Sequence, residues 1–535
     1  MPSMAYKTGM ECAGKRFPKD EQQTQTLGRG ERILVGLVVV LLLGVRLAFL
    51  GGPIDEGSWR QIWCNFQARQ LALESPPDFM NPKINFQGRD WVNVANPPFY
   101  EMAIAMSYKA LGHESLPAAR AITLILFVGS AFYLYLIIRK VVGLRTAAYV
   151  AMAYLCLPLG IFYSRAIHYD IMVLFMAHAF LYHALRYLEN RRLRDYLLAV
   201  AALTIAFSTK PPYVVFAGPP LLVFVLFRCR GRYLKSFASL AAMAVLPFML
   251  FSWYDAHRMS IELTRHTSVL EPNMHTAAEF QNYYIGTLAL RFNWQNWFVI
   301  LQRVYWMVLT PPGILLAALG GVAIAFRGKR LEGLFLGGWC LGALGYVLFA
   351  FPMVSGFHDY YTLPLLAPAA IVLGVGLSLL AAARWRAIRI GLPLLAVYLI
   401  LHGFYANHAL RAYHYFTLDD QLIAAGQQTA EWTSPTDLIV FSAIGRSTGD
   451  VDPRMLYFAD RLGYANEMKQ LTPENLALYR GAGAEWLAVL VTPDWYESGA
   501  QTLAGWGEPV RMAEISGRLG ERLGRLYLFS FANLI

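Results

Sequence analysis

Charge is scarce in this chain: Asp, Glu, Lys and Arg make up 15% of its 535 residues, while 56% are hydrophobic. That balance excludes an ordinary soluble protein, because no single soluble core of this length takes up so much apolar surface. Cysteine is scarce as well. The five present (Cys12, Cys64, Cys156, Cys229 and Cys340) are scattered and lack metal-ligand spacing, so no disulfide framework is expected. Asn-x-Ser/Thr acceptors are absent, in keeping with a bacterial source. Internal repeats and long low-complexity tracts are absent too. The first apolar run, Ile33 to Leu50, has no small-x-small cleavage site and is expected to be an uncleaved anchor, not a signal peptide.

What the chain does have is long apolar runs. The first, at about 18 residues or about 27 Å as a helix, matches a bilayer core. Others follow at roughly 117–138, 147–164, 170–186, 196–209, 212–227, 236–254, 304–326, 332–352, 361–382 and 388–405. The expected fold is a mostly α polytopic transmembrane bundle of about eleven spans. The net charge of +11 sits in short clusters between these runs, which argues against a nucleic-acid face. Alternate loops are basic: Arg139, Lys140 and Arg145; Arg186, Arg191, Arg192 and Arg194; Arg228, Arg230, Arg232 and Lys235; Arg327, Lys329 and Arg330; Arg384, Arg386 and Arg389. Counted from a cytosolic N-terminal tail (1–31), every cluster falls on the cytosolic side, as the positive-inside rule requires.

Two long intervals of the membrane domain (32–409) then lie outside. In the first, 52–116, Trp59 to Phe66 has helical spacing suited to the interface, and Asn96-Pro97-Pro98 suits the start of a second helix, with Asn as its cap. The second, 255–303, carries His257, His266, Glu271, His275 and Glu279. Residues 410–535 read as a small exterior α/β domain. Strands are expected at Asp437–Phe441 and Trp486–Val491, a terminal edge strand at Leu526–Phe531, and helices at 419–432 and 453–463.

The candidate chemistry lies at exterior ends of spans. Asp55-Glu56 follows the first span; such a pair is either a solvated loop end or a general base beside apolar walls. Ser164-Arg165-Ala166-Ile167-His168-Tyr169-Asp170 turns between the third and fourth spans, where Arg165 and Asp170 would otherwise simply pair and snorkel. Lys210, in Ser208-Thr209-Lys210-Pro211-Pro212, is a lone exterior cation, suited to a phosphate or to surface anchoring. His358-Asp359-Tyr360-Tyr361 opens the tenth span, where His and Asp suit a phosphate, a metal or each other. A metal held by Glu56, His168, Asp170 and His358 has no spacing motif behind it.

Asp55-Glu56, Asn96-Pro97-Pro98-Phe99-Tyr100, Gly112 with Arg120, Ser164-Arg165 with Asp170, Lys210-Pro211 and His358-Asp359-Tyr360-Tyr361 occur in this order. The pattern resembles the GT-C fold membrane glycosyltransferases, in the bacterial branch similar to protein O-mannosyltransferases and the lipid A aminoarabinose transferase. The resemblance covers roughly 30–405, and Arg461 to Tyr464 in the tail also fits. It implies a polyprenyl-phosphate sugar as donor and a glycolipid, glycan or protein as acceptor, with transfer at the outer face of a bacterial cytoplasmic membrane. By that resemblance Asp55 is the base, with Glu56 and Asp170 in support, and Arg60, Arg165 and Lys210 face the donor phosphate. The role of His168 stays open, and metal use is not carried over. The rival class is a transporter or lipid flippase, which would place ionisable groups at the bilayer midplane.

Overall fold

The computed structural model describes residues 27–534 apart from 49, 53, 55–57, 85–86, 89–90, 93–94, 263–284, 328–329, 357, 384–390, 392–393, 396, 403–404, 406–419, 446–451 and 518–519. Helix α1 spans Arg29–Ala48, followed by α2 (Ser58–Leu73), α3 (Phe99–Leu111), α4 (Leu116–Val141), α5 (Leu144–Cys156) and α6 (Pro158–Tyr163). Next come α7 (Asp170–Asn190), α8 (Leu193–Thr209), α9 (Gly218–Arg228) and α10 (Tyr233–Glu262). The bundle continues with α11 (Trp294–Arg303), α12 (Pro311–Arg327), α13 (Arg330–Phe349) and α14 (Leu366–Ala382).

Among the described residues six helices are long and apolar enough to cross a bilayer, or seven if a bent pair is one span, against about eleven expected. The other expected runs depart from a simple span for separate reasons. Helix α1 carries Glu31 and the basic Arg29, Arg32 and Arg46. The run 147–164 is broken at Leu157, which is extended because Pro158 follows it. Helix α8 is 17 residues long, stopped by Lys210-Pro211-Pro212. The run 304–326 bends by 92° where a π turn, Val304–Leu309, meets Thr310 at φ 64°. The run 388–405 is described only in part, at 391, 394–395, 397–402 and 405.

Packing within the bundle is close enough to need glycine at one crossing. A Cβ on Gly320 of α12 would sit 1.8 Å from the Val372 carbonyl oxygen, and one on Gly376 of α14 would sit 2.3 Å from that of Leu316. Backbone thus meets backbone, as small residues allow between membrane helices.

Helices α2 and α3 form where the sequence predicts interfacial helices; α3 keeps an exposed apolar face at Met106 and Leu111, whereas α2 is not a surface helix. Gln61 through Ala68 of α2 are all buried, because α2 packs on α3 and under the C-terminal sheet. Helix α3 starts at Phe99 with Pro98 as its cap residue, and the Asn96 side chain makes no capping bond.

The C-terminal sheet has six strands, β1 (Gln87–Gly88), β2 (Leu438–Ile444), β3 (Leu462–Ala465), β4 (Trp486–Val491), β5 (Arg511–Ser516) and β6 (Arg522–Ser530). Their order is β1-β3-β2-β4-β6-β5, parallel at β3-β2-β4 and antiparallel elsewhere. Strand β6, expected at an edge, is internal because β5 pairs along its outer side. Strand β1 comes from the interval 52–116, so the sheet is not built from the tail alone. Trp63, Ile84 and Trp91 of that interval also pack into the core under the sheet, with Phe441, Met455 and Leu456. Polar contacts reinforce the seam: Asn65 and Glu114 both meet the Tyr457 hydroxyl, at 2.9 and 2.7 Å, and Arg69 reaches Asp460 at 2.9 Å.

Candidate active site

The break at Leu157-Pro158 lets α6 end early and turns the chain through Ser164 to Tyr169 before α7 begins at Asp170. Ser164, Arg165, His168 and Asp170 are all buried. Buried polar groups must be hydrogen-bonded, and part of that demand is met from α1. There Arg46 donates from Nε to Ser164 Oγ (2.8 Å), from Nη1 to the Leu42 carbonyl (3.0 Å) and from Nη2 to the Leu155 carbonyl (2.6 Å). It thereby ties the last turn of α5 to the turn leading toward Asp170. Arg46 escapes the sequence reading because it sits inside the Ile33–Leu50 run; a lone arginine in such a run is the signal that marks it.

Lys210 ends α8, and the prolines after it force a 3₁₀ turn, Pro211–Ala217. Its Nζ lies 2.7 Å from Asp170 Oδ2, and the Tyr213 hydroxyl also donates to Oδ2, at 2.5 Å. Tyr213 stands three residues beyond Lys210, the repeat of a 3₁₀ turn, so one short motif delivers both donors. The Lys210 ammonium is caged by aromatic rings, 4.1 Å from the centroid of Tyr361, 4.5 Å from Tyr213 and 5.1 Å from Tyr360. Tyr169 links it to a second cation: its centroid is 5.7 Å from Lys210 Nζ and 5.6 Å from the Arg60 guanidinium carbon. Arg60 comes from α2 and also meets Trp59 and Trp63.

His168 lies between these groups. Its backbone N–H donates to the Tyr100 hydroxyl at 3.0 Å, and its ring centroid is 4.5 Å from that of Tyr360. Burial pushes its imidazole down to about 3, against the pull of Asp170, so the ring is neutral at neutral pH. Its Nδ1 accepts from the Asp170 backbone N–H at 3.3 Å, which leaves the proton on Nε2. The 3.9 Å approach of Nδ1 to Asp170 Oδ1 is therefore not an ion pair.

The remaining sequence-predicted residues divide. Tyr360 joins the cage, and the exposed His358 ring stacks on it at 4.9 Å. Asp359 accepts from Tyr163 at 2.7 Å and does not pair with His358 in that contact. Arg165 rests on the Phe162 ring at 5.4 Å, while Asp170 takes Lys210 and Tyr213 in place of the Arg165 pairing weighed above. Asp55 and Glu56 lie outside the described residues. The chain leading to them is held by Arg120 of α4, which donates to the Leu50 carbonyl at 3.0 Å and also to that of Gly52. Among the described residues no group of three or more His, Cys, Asp and Glu side chains is placed to hold a metal.

One carboxyl was not foreseen. Glu101, on α3, is 1% exposed, and its Oε2 has no hydrogen-bond partner among the described residues. Burial pushes it up to about 7, although Cys64 donates to it.

Lys210 also lines a cavity of about 350 Å³ with Asn96, Ser208, Thr209, Tyr254 and Arg258. A second cavity of about 530 Å³ is walled by apolar side chains of α7 to α10, including Leu203, Leu221, Phe237, Ala244 and Phe248. Phe207, Pro211 and Val215 line both, so the apolar groove between membrane helices lies next to the cavity at Lys210, whose largely apolar wall carries these few polar groups.

A helical bundle with a small α/β layer at its C-terminal end has structural counterparts. ArnT from Cupriavidus metallidurans bound to undecaprenyl phosphate superposes with a TM-score of 0.59, at 15% identity, over 94% of this chain and 98% of that one. The chain has the GT-C fold. The Archaeoglobus fulgidus oligosaccharyltransferase, in a complex with zinc and sulfate, shares this fold with a TM-score of 0.52 at 12% identity, over 91% of this chain and 72% of that one. The oligosaccharyltransferase AglB from Archaeoglobus fulgidus, in complex with an inhibitory peptide and a dolichol-phosphate, gives 0.50 at 11% identity, over 93% of this chain and 74% of that one. The family described as dolichyl-phosphate-mannose-protein mannosyltransferase matches residues 95–254, which run from the Asn96-Pro97-Pro98 motif through Asp170 and Lys210 to Tyr254. Among curated proteins none matches this chain.

Proposed function

We propose that this protein transfers a sugar, a hexosyl or pentosyl unit, from a polyprenyl-phosphate donor to an acceptor hydroxyl at the outer face of the cytoplasmic membrane. The single observation that carries the reading is that the apolar groove and the cavity at Lys210, beside the Asp170 carboxylate, share Phe207, Pro211 and Val215 as walls. A polyprenyl chain is apolar and its phosphate is anionic. The GT-C groove meets both needs along one path, and the ArnT structure of the same fold carries undecaprenyl phosphate.

In this reading Lys210 and Arg60 face the donor phosphate. Asp55, just beyond the turn held by Arg120, takes the proton from the acceptor hydroxyl as that oxygen attacks the anomeric carbon. The bond from that carbon to the phosphate oxygen breaks, and polyprenyl phosphate departs carrying the negative charge. Fixed cations stabilise that charge more in the transition state than before it. One displacement inverts the anomeric configuration. Asp170 holds Lys210 and Tyr213 in place and, with Glu56, helps orient the acceptor. The acceptor, a glycolipid, glycan or protein, enters from the exterior side, where residues 410–535 form a domain over the site. The basic clusters of the opposite loops support that orientation.

The test is a transfer assay in proteoliposomes supplied with a radiolabelled undecaprenyl-phosphate sugar and an envelope extract as acceptor source. Label moving into a new glycosidic bond, with release of undecaprenyl phosphate, is the expected result. Label crossing the bilayer with no new bond would replace the transferase reading with a flippase.

A further inference from the structure

Helix α8 carries three serine and threonine side chains, and they behave differently. Thr204 does what a threonine in a helix usually does: its Oγ1 donates to the Val200 carbonyl one turn back, at 2.8 Å. Ser208 and Thr209 are equally well placed to bond the carbonyls of Thr204 and Ile205, yet neither does. Both are buried, at 6% and 7% exposure, and neither hydroxyl has a hydrogen-bond partner among the described residues. Both line the 350 Å³ chamber that Lys210 also lines. A buried hydroxyl left unmet is destabilising, so two together point to a ligand that supplies partners.

The nature of the partner follows from the groups beside them. Pro211 and Pro212 carry no N–H, so the carbonyls of Phe207 and Ser208 lose the donors that a continuing helix would provide. This end of α8 therefore presents carbonyl oxygens together with hydroxyls that both donate and accept. The phosphate of a polyprenyl-phosphate sugar is a diester anion with no hydroxyl of its own, and carbonyl oxygens repel it. A sugar ring has hydroxyls that donate and accept. Lys210, the next residue, supplies the positive charge for the phosphate, so the order Ser208-Thr209-Lys210 matches the order sugar then phosphate in the donor. Across the chamber Arg258 is held by Asp255, with Nε at 3.0 Å and Nη2 at 2.6 Å from the same oxygen, so its charge is already balanced.

We infer that Ser208 and Thr209 hydrogen-bond the hydroxyls of the donor sugar and so set which polyprenyl-phosphate sugar the protein accepts, an assignment that rests on the donor reading above. The test measures binding to the full-length protein in detergent for three probes: undecaprenyl phosphate, undecaprenyl-phosphate glucose and undecaprenyl-phosphate arabinose. Wild type is expected to bind one glycosylated lipid more tightly than the bare one. Ser208→Ala and Thr209→Val, which keep shape and lose the hydroxyl, are each expected to weaken that glycosylated lipid about tenfold and leave bare undecaprenyl phosphate unchanged, the loss of one matched hydroxyl contact. The retained bare-lipid affinity shows that each variant is folded. Equal weakening of all probes would assign the hydroxyls to phosphate and overturn the inference, as would unchanged binding of all probes. Wild type binding none of the three would instead remove the donor reading itself.

Discussion

Lys210 Nζ and Asp170 Oδ2 lie 2.7 Å apart although forty positions separate them in the chain. Both are buried. Taking two charges out of water costs several kcal/mol per ion, which a close pair only partly recovers. An apolar pair would stabilise the bundle as well or better, so retaining charge here is the mark of a site. The pair also fixes relative positions, since it locks the end of α8 to the start of α7 and leaves the ammonium beside the chamber.

Arg46 is the support behind that geometry. Replacing it with Leu removes three donors, leaves the Ser164 hydroxyl only its bond to the Ile161 carbonyl, and frees the turn before Asp170. The expected result is a fall in kcat of about tenfold or more with donor KM changed less than about twofold, because the loss is of alignment and not of a ligand contact. Arg46→Lys, which keeps part of the donor set, should recover part of the rate. Steady-state kinetics on the three proteins checks this.

Glu101 should give stability a pH dependence. Its carboxyl is pushed up to about 7 by burial, so between pH 4.5 and 7 the folded protein holds a proton that the unfolded chain releases. The group's contribution is fully present below about 4.5 and is lost as pH rises through about 7, a difference of about 3 kcal/mol. Thermal unfolding of wild type should show stability falling across that window. Glu101→Gln, a permanent mimic of the protonated form, should flatten the decline.

The apolar groove makes a prediction about chain length. Ala244 faces the groove wall from α10, and Ala244→Trp would fill it. Donor KM should rise about tenfold for an undecaprenyl carrier and change little for a carrier of two isoprene units, which ends before the blocked section. Parallel assays with the two carriers read this directly; an equal rise for both would show that the chain does not run through this groove.

Much of this was legible in the sequence, for definable reasons. Apolar runs are properties of composition, so the helical bundle could be read without partners. Lys210 stood out as a lone cation opposite to the charge pattern, and Asp170 as the acid at the next span's start. Strands β2 and β4 were readable as continuous apolar runs: Asp437–Phe441 was expected where Leu438–Ile444 forms, and Trp486–Val491 forms as expected. The internal place of β6 was not, because it depends on pairing with β5, whose mostly exposed residues give little periodic signal. The break at Leu157-Pro158 was masked by uniformly apolar neighbours, and Arg46 by the run around it. Tyr213 and Glu101 gain their roles only from the third dimension, where Asp170 and the buried face of α3 come to meet them.

The central claim is that the Lys210–Asp170 pair serves sugar transfer from a polyprenyl phosphate. The most direct measurement is single-turnover transfer from undecaprenyl-phosphate sugar by purified wild type, Lys210→Met and Asp170→Asn, each confirmed as folded by its thermal transition. The account predicts measurable transfer by wild type and a rate lower by about 10²–10³ in each variant, the loss seen when a preorganised group at the developing charge is removed. Transfer at the wild-type rate by folded Lys210→Met and Asp170→Asn would contradict it.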